Sequence, residues 1–211
     1  MTRRAGDELQ RALDLVVAVG LLAVLAMPLA AAALVSLVVQ GRPVLHTSRR
    51  AGRHGRPFVL LKLRTMTDQR DATGALLPDE ARLTRWGRVL RSTSIDELPQ
   101  LWNVLRGEMS LVGPRPLPLA YLPRYTPVEA RRHEVRPGLT GWAQVHGRNA
   151  VAWDERLALD VWYVDHRSLA LDLRILGQTV GIVVRRAGIA AEGEATMGEL
   201  RPETGDEGLA S

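Results

Sequence analysis

The 211-residue chain contains no cysteine. That excludes disulfides, thiol catalysis and Cys-rich zinc sites. Lysine is nearly as scarce: Lys62 stands alone among 28 Lys and Arg residues. Four of the five histidines (His46, His54, His133 and His146) are scattered singly, and no pair has the spacing of metal ligands on a helix, which argues against a zinc hydrolase. Charge is missing altogether from Leu15 to Val39. What remains is a basic chain, formally +5, of a length that suits one domain and something extra. Arginine pairs bidentately with phosphate and carboxylate, so the composition suits anionic ligands or an anionic membrane face. Codon bias produces the same Arg excess, and against that background the one retained Lys is the more informative residue.

The uncharged run can cross a bilayer, for which about 20 apolar residues suffice. Pro28 lies near its middle, where it removes a backbone donor and crowds the preceding turn. A straight anchor, a cleaved signal peptide and a re-entrant helical hairpin are the three readings. Arg3, Arg4 and Arg11 precede the run, and Arg42, Arg49, Arg50, Arg53 and Arg56 follow it. Positive charge on both flanks fits two cytoplasmic ends. Asp7, Glu8 and Asp14, and the apolar residues continuing to Val39, weigh against cleavage. The anchor and the hairpin both stay open at this point.

Beyond it, Pro43–Thr47 and Arg56–Thr65 flank a Gly-rich basic turn and read as a β-hairpin. Period-two alternation puts Lys62 and Arg64 on one face of its second strand. Met66–Pro78 is polar and reads as a mobile loop. Asp79–Arg91 has helical spacing. Ala152–His166 and Ser168–Arg186 read as helices, the first bearing Trp153, Trp162 and Tyr163 in a pattern suited to a membrane surface. Gly188–Ser211 has the composition of a disordered tail.

Residues 92–116 carry the chemistry: adjacent acids Asp96 and Glu97, a short apolar helix, then Arg115 between Pro114 and Pro116. Ser94-Ile-Asp-Glu97 fits a capping box, the plainer reading of the acids. Pro99 opposes it, because it would then fall inside the helix. A helix starting at Pro99 leaves both carboxylates in the turn before it, where an anionic ligand could also settle. Flanking prolines stiffen the backbone that presents Arg115. An acid beside a fixed cation is what chemistry on a phosphate requires.

Five segments, taken in order, resemble one family. They are Arg56-Pro-Phe with Lys62-Leu-Arg-Thr-Met66; Asp96-Glu-Leu-Pro-Gln-Leu-Trp-Asn-Val104; Ser110-Leu-Val-Gly-Pro-Arg-Pro116; Arg136-Pro-Gly-Leu-Thr-Gly-Trp-Ala-Gln-Val-His-Gly-Arg148; and Tyr163 through Leu171-Asp-Leu-Arg-Ile-Leu176. The chain resembles the bacterial sugar transferases, specifically the monotopic polyprenyl-phosphate glycosyl-1-phosphate transferases, over about residues 12 to 186. It looks like a minimal member. The resemblance implies a helix-dominated α+β fold with one β-hairpin, amphipathic interfacial helices and a membrane helix broken at Pro28. The corresponding expected divisions are a membrane segment (1–42), a catalytic domain (43–186) and a tail (187–211). Relatives often carry Ser before that proline, and this chain has Met27.

The implied reaction moves a sugar 1-phosphate from a UDP-sugar to membrane polyprenyl (undecaprenyl) phosphate and releases UMP, initiating exopolysaccharide, capsule, O-antigen or glycoprotein glycan assembly. Asp96 takes the nucleophile position, and Glu97 that associated with binding Mg²⁺, to which Asp96 also contributes. An aspartate is ionised at neutral pH, with a reference pKa of about 3.9, and needs no base. The obstacle is anion attacking anion, which Mg²⁺ and guanidinium groups relieve. Lys62, Arg64, Arg91, Arg115 and Arg148 are the candidate phosphate-side cations, with Asp160 and Asp172 as supporting acids. The expected setting is the cytoplasmic face of the bacterial inner membrane, in contact with lipid and not with nucleic acid. A nucleotide-sugar hydrolase on the same scaffold is the alternative.

Overall fold

The computed structural model describes residues 3–146, 152–185 and 200. Its longest element is helix α1 (Arg3–Gln40). A hairpin of β1 (Leu45–Ala51) and β2 (Pro57–Leu63) follows. Then come α2 (Asp79–Arg82), α3 (Arg85–Ser92), α4 (Gln100–Leu105) and β3 (Ser110–Val112). After α5 (Pro127–Ala130), strand β4 (Gly138–Thr140) leads into α6 (Trp142–His146), α7 (Trp153–His166) and α8 (Leu169–Arg185). Helices dominate, as expected. The second sheet, a parallel pairing of β3 with β4, was not foreseen. Each of its strands is three residues long, too short for a periodicity to register.

Helix α1 inverts the usual amphipathic logic. Its inward stripe carries the polar anchors. Arg11 donates to the carbonyls of Val104 (2.7 Å) and Leu105 (2.9 Å) at the end of α4. Buried Asp14 accepts from Ser110 Oγ and the Leu111 amide at the start of β3. Ser36 accepts from Trp86 Nε1 of α3. Asp14, Ala18, Ala32 and Ser36 share one helical phase and are buried together. The outward face is apolar and bare: Val16, Val19, Val24, Met27, Leu34, Val38 and Val39 are each more than half exposed. Leaving such side chains in water forgoes roughly 1.5–3 kcal/mol apiece, on the order of 10 kcal/mol together. That rivals the net stability of a whole domain, about 5–15 kcal/mol. The face is therefore built to meet an apolar phase.

The break expected at Pro28 does not divide α1 into two helices. Helical structure continues on both sides of it. A proline forfeits one hydrogen bond and displaces one carbonyl, which bends a helix whose Leu, Ala and Val flanks still favour it. Cleavage within the run is also at odds with the fold, since Ala18 and Ala32 belong to two separate core clusters.

Other expectations shift in detail. The first strand runs on through Arg49 and Arg50 to Ala51, leaving a tighter turn than the basic segment suggested. The helix expected over Asp79–Arg91 is split at Leu83–Thr84, because the Thr84 hydroxyl accepts from the Gly87 amide and caps a new helix. Gly87 is required there, since a Cβ would lie 2.0 Å from the Thr65 carbonyl oxygen. The Met66–Pro78 loop is pinned by bridges pairing Met66 with Leu83 and Arg70 with Leu76. Tyr163 is not interfacial: it is buried, and its hydroxyl donates to Asp172 at 2.7 Å. Trp153 packs edge-on against Tyr121, and Trp162 stays exposed while stacking on Trp142. The tail expected beyond residue 187 lies outside the described residues except for Leu200, which is buried against Leu117 and Leu157.

Candidate active site

The acid pair sits in a 3-10 turn, Ile95–Glu97, ahead of α4. Ser94 adopts a left-handed conformation (φ 58°) and makes no side-chain cap bond, so the capping-box reading fails. Pro99 stands immediately before α4, and both carboxylates precede the helix as the proline argument required. Lys62 near the end of β2 and Arg115 in the loop after β3 converge on them. Lys62 Nζ lies 2.6 Å and Arg115 Nη2 2.8 Å from the same oxygen, Glu97 Oε1. Burial alone would raise the Glu97 carboxyl, but the charge of Arg115, then that of Lys62, and the hydrogen bonds from both outweigh it. Glu97 is held well below the usual carboxylate range. Asp96 behaves oppositely. It is 6% exposed, and burial pushes its carboxyl up, aided by the Glu97 charge and opposed by Lys62, Arg91 and Arg115. Those cations act on Asp96 from a distance; no ion pair to it forms among the described residues.

Two buried polar contacts set this geometry. Asn103 of α4 is fully buried and works as a surrogate strand on the edge of β2. Its Oδ1 accepts from the Leu61 amide (3.2 Å), and its Nδ2 donates to the Val59 carbonyl (2.7 Å). The helix following Glu97 is thereby locked to the strand that carries Lys62. On the other side, Arg132 and Asp160 form an ion pair with side-chain exposures of 1% and 2%. Arg132 Nη2 reaches both Asp160 Oδ2 and the backbone carbonyl of Arg115, each at 2.7 Å. Three glycines bring the Arg115 loop against β4. A Cβ on Gly138 would meet the Gly113 nitrogen at 2.1 Å, and one on Gly141 the Gly113 oxygen at 2.2 Å. Gly113 itself has no room toward the Arg136 oxygen.

The structure thus gathers Lys62, Asp96, Glu97 and Arg115, with Arg91 close enough for its charge to act on Asp96. Arg91 Nε also donates to Thr65 Oγ1. Arg64 is a correction: it leaves the strand face and caps the C-terminus of α1, donating to the carbonyls of Gln40 and Gly41. The negative end of a helix attracts that charge. Asp172 is also elsewhere. It accepts from Tyr163 and Gln10, tying α8 to α7 and α1, and burial raises its carboxyl to about 6. Asp160 is a buried anchor for Arg132 and not a surface acid. Arg148 lies outside the described residues. The sequence reading missed Asn103 and Arg132. Asn103 had a signal, an amide between Trp102 and Val104 in an apolar helix; Arg132, in an Arg-Arg-His run, had none.

A carboxylate with no ion-pair partner among the described residues, lodged beside a fixed group of cations, suits attack on a phosphate. The family model of bacterial sugar transferases matches residues 5–186, and the chain belongs to that family. It is 59% identical over 156 residues to the uncharacterized sugar transferase EpsL of Bacillus subtilis (strain 168), covering 74% of this chain and 77% of that protein. It is 45% identical over 191 residues to a UDP-glucose:undecaprenyl-phosphate glucose-1-phosphate transferase of Caulobacter vibrioides, covering 85% and 71%. An undecaprenyl-phosphate galactose phosphotransferase of Salmonella typhimurium is 37% identical over 205 residues, with this chain spanning 43% of its length.

Replacing Asp160 by Asn strands the Arg132 charge in the interior, which costs about 3–5 kcal/mol. Denaturant unfolding of the purified protein measures that loss. A loss below about 1 kcal/mol, typical of an exposed pair, contradicts the structural role assigned here.

Proposed function

We propose that the protein transfers a sugar 1-phosphate from a UDP-sugar to membrane polyprenyl phosphate through a phosphosugar adduct on Asp96. The observation that carries this reading is the division of labour within the acid pair: one oxygen of Glu97 accepts from both Lys62 and Arg115, while Asp96 is buried with no ion pair among the described residues. In the first half-reaction an Asp96 carboxylate oxygen bonds to the sugar-bearing phosphorus. The bond from that phosphorus to the nucleotide oxygen breaks, and UMP leaves with the electron pair. In the second, an oxygen of the lipid phosphate bonds to the same phosphorus and Asp96 is released. Against the opposing effect of burial, the charges of Lys62, Arg91 and Arg115 favour the attacking carboxylate form of Asp96. Arg115 and Lys62 offset the charge that gathers on the phosphoryl oxygens, the principal requirement of phosphoryl transfer. The names of the relatives support this donor and acceptor class.

The acid pair fits Mg²⁺, which is typically held by one or two carboxylates and completed by substrate phosphate oxygens. Glu97 and Asp96 would hold it. Among the described residues no group of three or more His, Cys, Asp or Glu forms a protein-only cage, which fits an ion whose remaining ligands would come from substrate phosphates and water. When bound, the ion supplies charge neutralisation.

The apolar outer face of α1 accounts for the lipid acceptor. The N-terminal half of α1 binds the Val104 and Leu105 carbonyls, and Gln40 at its other end binds the Arg64 carbonyl. Both ends dock on one polar body, which supports a re-entrant, monotopic helix with both ends on the cytoplasmic face, where nucleotide sugars are made.

An Asp96→Asn variant, assayed with labelled UDP-sugar and polyprenyl phosphate, is expected to lose on the order of a thousandfold or more in turnover. Turnover like wild type would remove Asp96 from the mechanism. In the same assay free sugar phosphate, in place of label in the extractable lipid, would mark a hydrolase. For topology, a Thr2→Cys variant of this cysteine-free chain should resist labelling by impermeant reagents from the periplasmic side; labelling there contradicts the re-entrant reading.

A further inference from the structure

Arg136 begins the Arg-Pro-Gly-Leu-Thr-Gly-Trp142 segment, and the mechanism above gives it no task. It stands just before β4, half-buried. Together with Asp7, Glu8 and Arg11 of α1 and Arg53 of the hairpin turn it lines an open cleft of about 330 Å³. This cleft is separate from the acid pair. The charges acting on Arg136 are those of Asp14, Arg11, Arg53 and Asp7, whereas those acting on Asp96 are Lys62, Glu97, Arg91 and Arg115. The two sets share no member.

Several of the lining groups are already committed. Arg11 donates to the Val104 and Leu105 carbonyls. Asp7 pairs with Arg167 at 2.7 Å. Arg53 uses Nε on the Glu134 carbonyl (3.1 Å), and its two Nη groups have no hydrogen bond among the described residues. Arg136 and Glu8 make neither a hydrogen bond nor an ion pair among the described residues. Burial lowers the pKa of Arg136; Asp14 opposes that, and Arg11 and Arg53 add to it. The cleft thus offers one carboxylate and the forks of two arginines. That suits a ligand of both signs, a phosphate for the forks and an ammonium for the acid.

Helix α1 says what else the ligand carries. Glu8, Ala12, Leu15 and Val19 follow one another at helical spacing and are all exposed, with exposed Val16 beside them. The face that lines the cleft at Glu8 therefore runs on as the uncharged apolar stripe. A polar head with apolar tails matches that succession of surfaces, and a free phosphate compound matches only its first turn. The acids also make the cleft a poor receiver of a phosphate monoester dianion such as the acceptor carries. We propose that Arg136, Arg53 and Glu8 bind a phospholipid with a zwitterionic phosphoethanolamine headgroup. Its phosphate lies on the two arginines, its ammonium on Glu8 and its acyl chains along Leu15, Val16 and Val19. The site holds a lipid of the bilayer, seated where α1 changes from charged to uncharged, and it does not depend on the transferase reading.

The test uses the full-length purified protein in detergent micelles. Dioctanoyl-phosphatidylethanolamine, dioctanoyl-phosphatidylglycerol and soluble phosphoethanolamine are each titrated, with binding read by native mass spectrometry. The ethanolamine lipid should bind about tenfold or more tighter than the glycerol lipid, which has no amine, the scale of one charge-assisted hydrogen bond. It should exceed phosphoethanolamine, which has no acyl chains, by at least as much. Arg136→Gln should weaken both lipids by about tenfold. Glu8→Gln should weaken the ethanolamine lipid alone and so abolish the preference. Equal binding of the two lipids by the wild type, or a preference that survives Glu8→Gln, overturns the zwitterion assignment. Phosphoethanolamine bound as tightly as its lipid makes the cleft a site for a soluble compound and overturns the lipid. Binding by Arg136→Gln within about twofold of wild type, or no lipid bound by the wild type, overturns the site. Should Arg136→Gln fail to fold, Arg53→Gln, at an exposed turn, replaces it and is judged by the same limits.

Discussion

One carboxylate oxygen organises the site. Glu97 Oε1 accepts from Lys62 and from Arg115, joining a strand, a 3-10 turn and a proline-stiffened loop that are far apart in sequence. Charge-assisted hydrogen bonds of this kind contribute roughly 1.5–3 kcal/mol each. Their consequence is larger than their energy. Because Glu97 takes both close contacts, the neighbouring Asp96 is left beside the cations without being paired to them. In the proposed mechanism this matters, because a nucleophile locked in an ion pair would have to break it before attacking and one shielded by its neighbour would not.

The rest of the fold holds those segments in register. Asn103 fastens α4 to the edge of β2, and the Arg132–Asp160 pair fastens the Arg115 backbone to α7. Burying that pair carries a desolvation cost of several kcal/mol per ion. Such a pair is poor evidence for stability and better explained as positioning, since its third contact is the carbonyl of Arg115. Close backbone approach at Gly113, Gly138 and Gly141 leaves no room for a side chain between the loop and β4.

Much of this was legible in the residues. The hairpin, the three long helices and the acids ahead of Pro99 follow from periodicity and from what proline tolerates. The side-chain destinations were less accessible. Alternation placed Arg64 beside Lys62, yet the strand ends at Leu63, and the C-terminus of α1 offers Arg64 two carbonyls. Tyr163 has the composition of an interfacial residue and lies in the core, because Asp172 satisfies its hydroxyl. Arg132 is one basic residue in a run, and only the tertiary fold shows that its partner is 28 residues on. Local rules specify elements; they do not specify which distant group will meet a charge.

On the proposed function, helix α1 links this site to a lipid. Its polar stripe packs on the protein and its apolar stripe is exposed; in the proposed mechanism that apolar stripe meets the membrane and brings the acceptor phosphate to Asp96. The account depends most on the covalent step. Wild-type protein incubated with UDP-sugar in the absence of polyprenyl phosphate should gain the mass of one sugar phosphate, mapped by fragmentation to the peptide containing Asp96, and lose it when the lipid is added. UMP release with no adduct on that peptide, and sugar phosphate passing directly to lipid only when both substrates are present together, would contradict it.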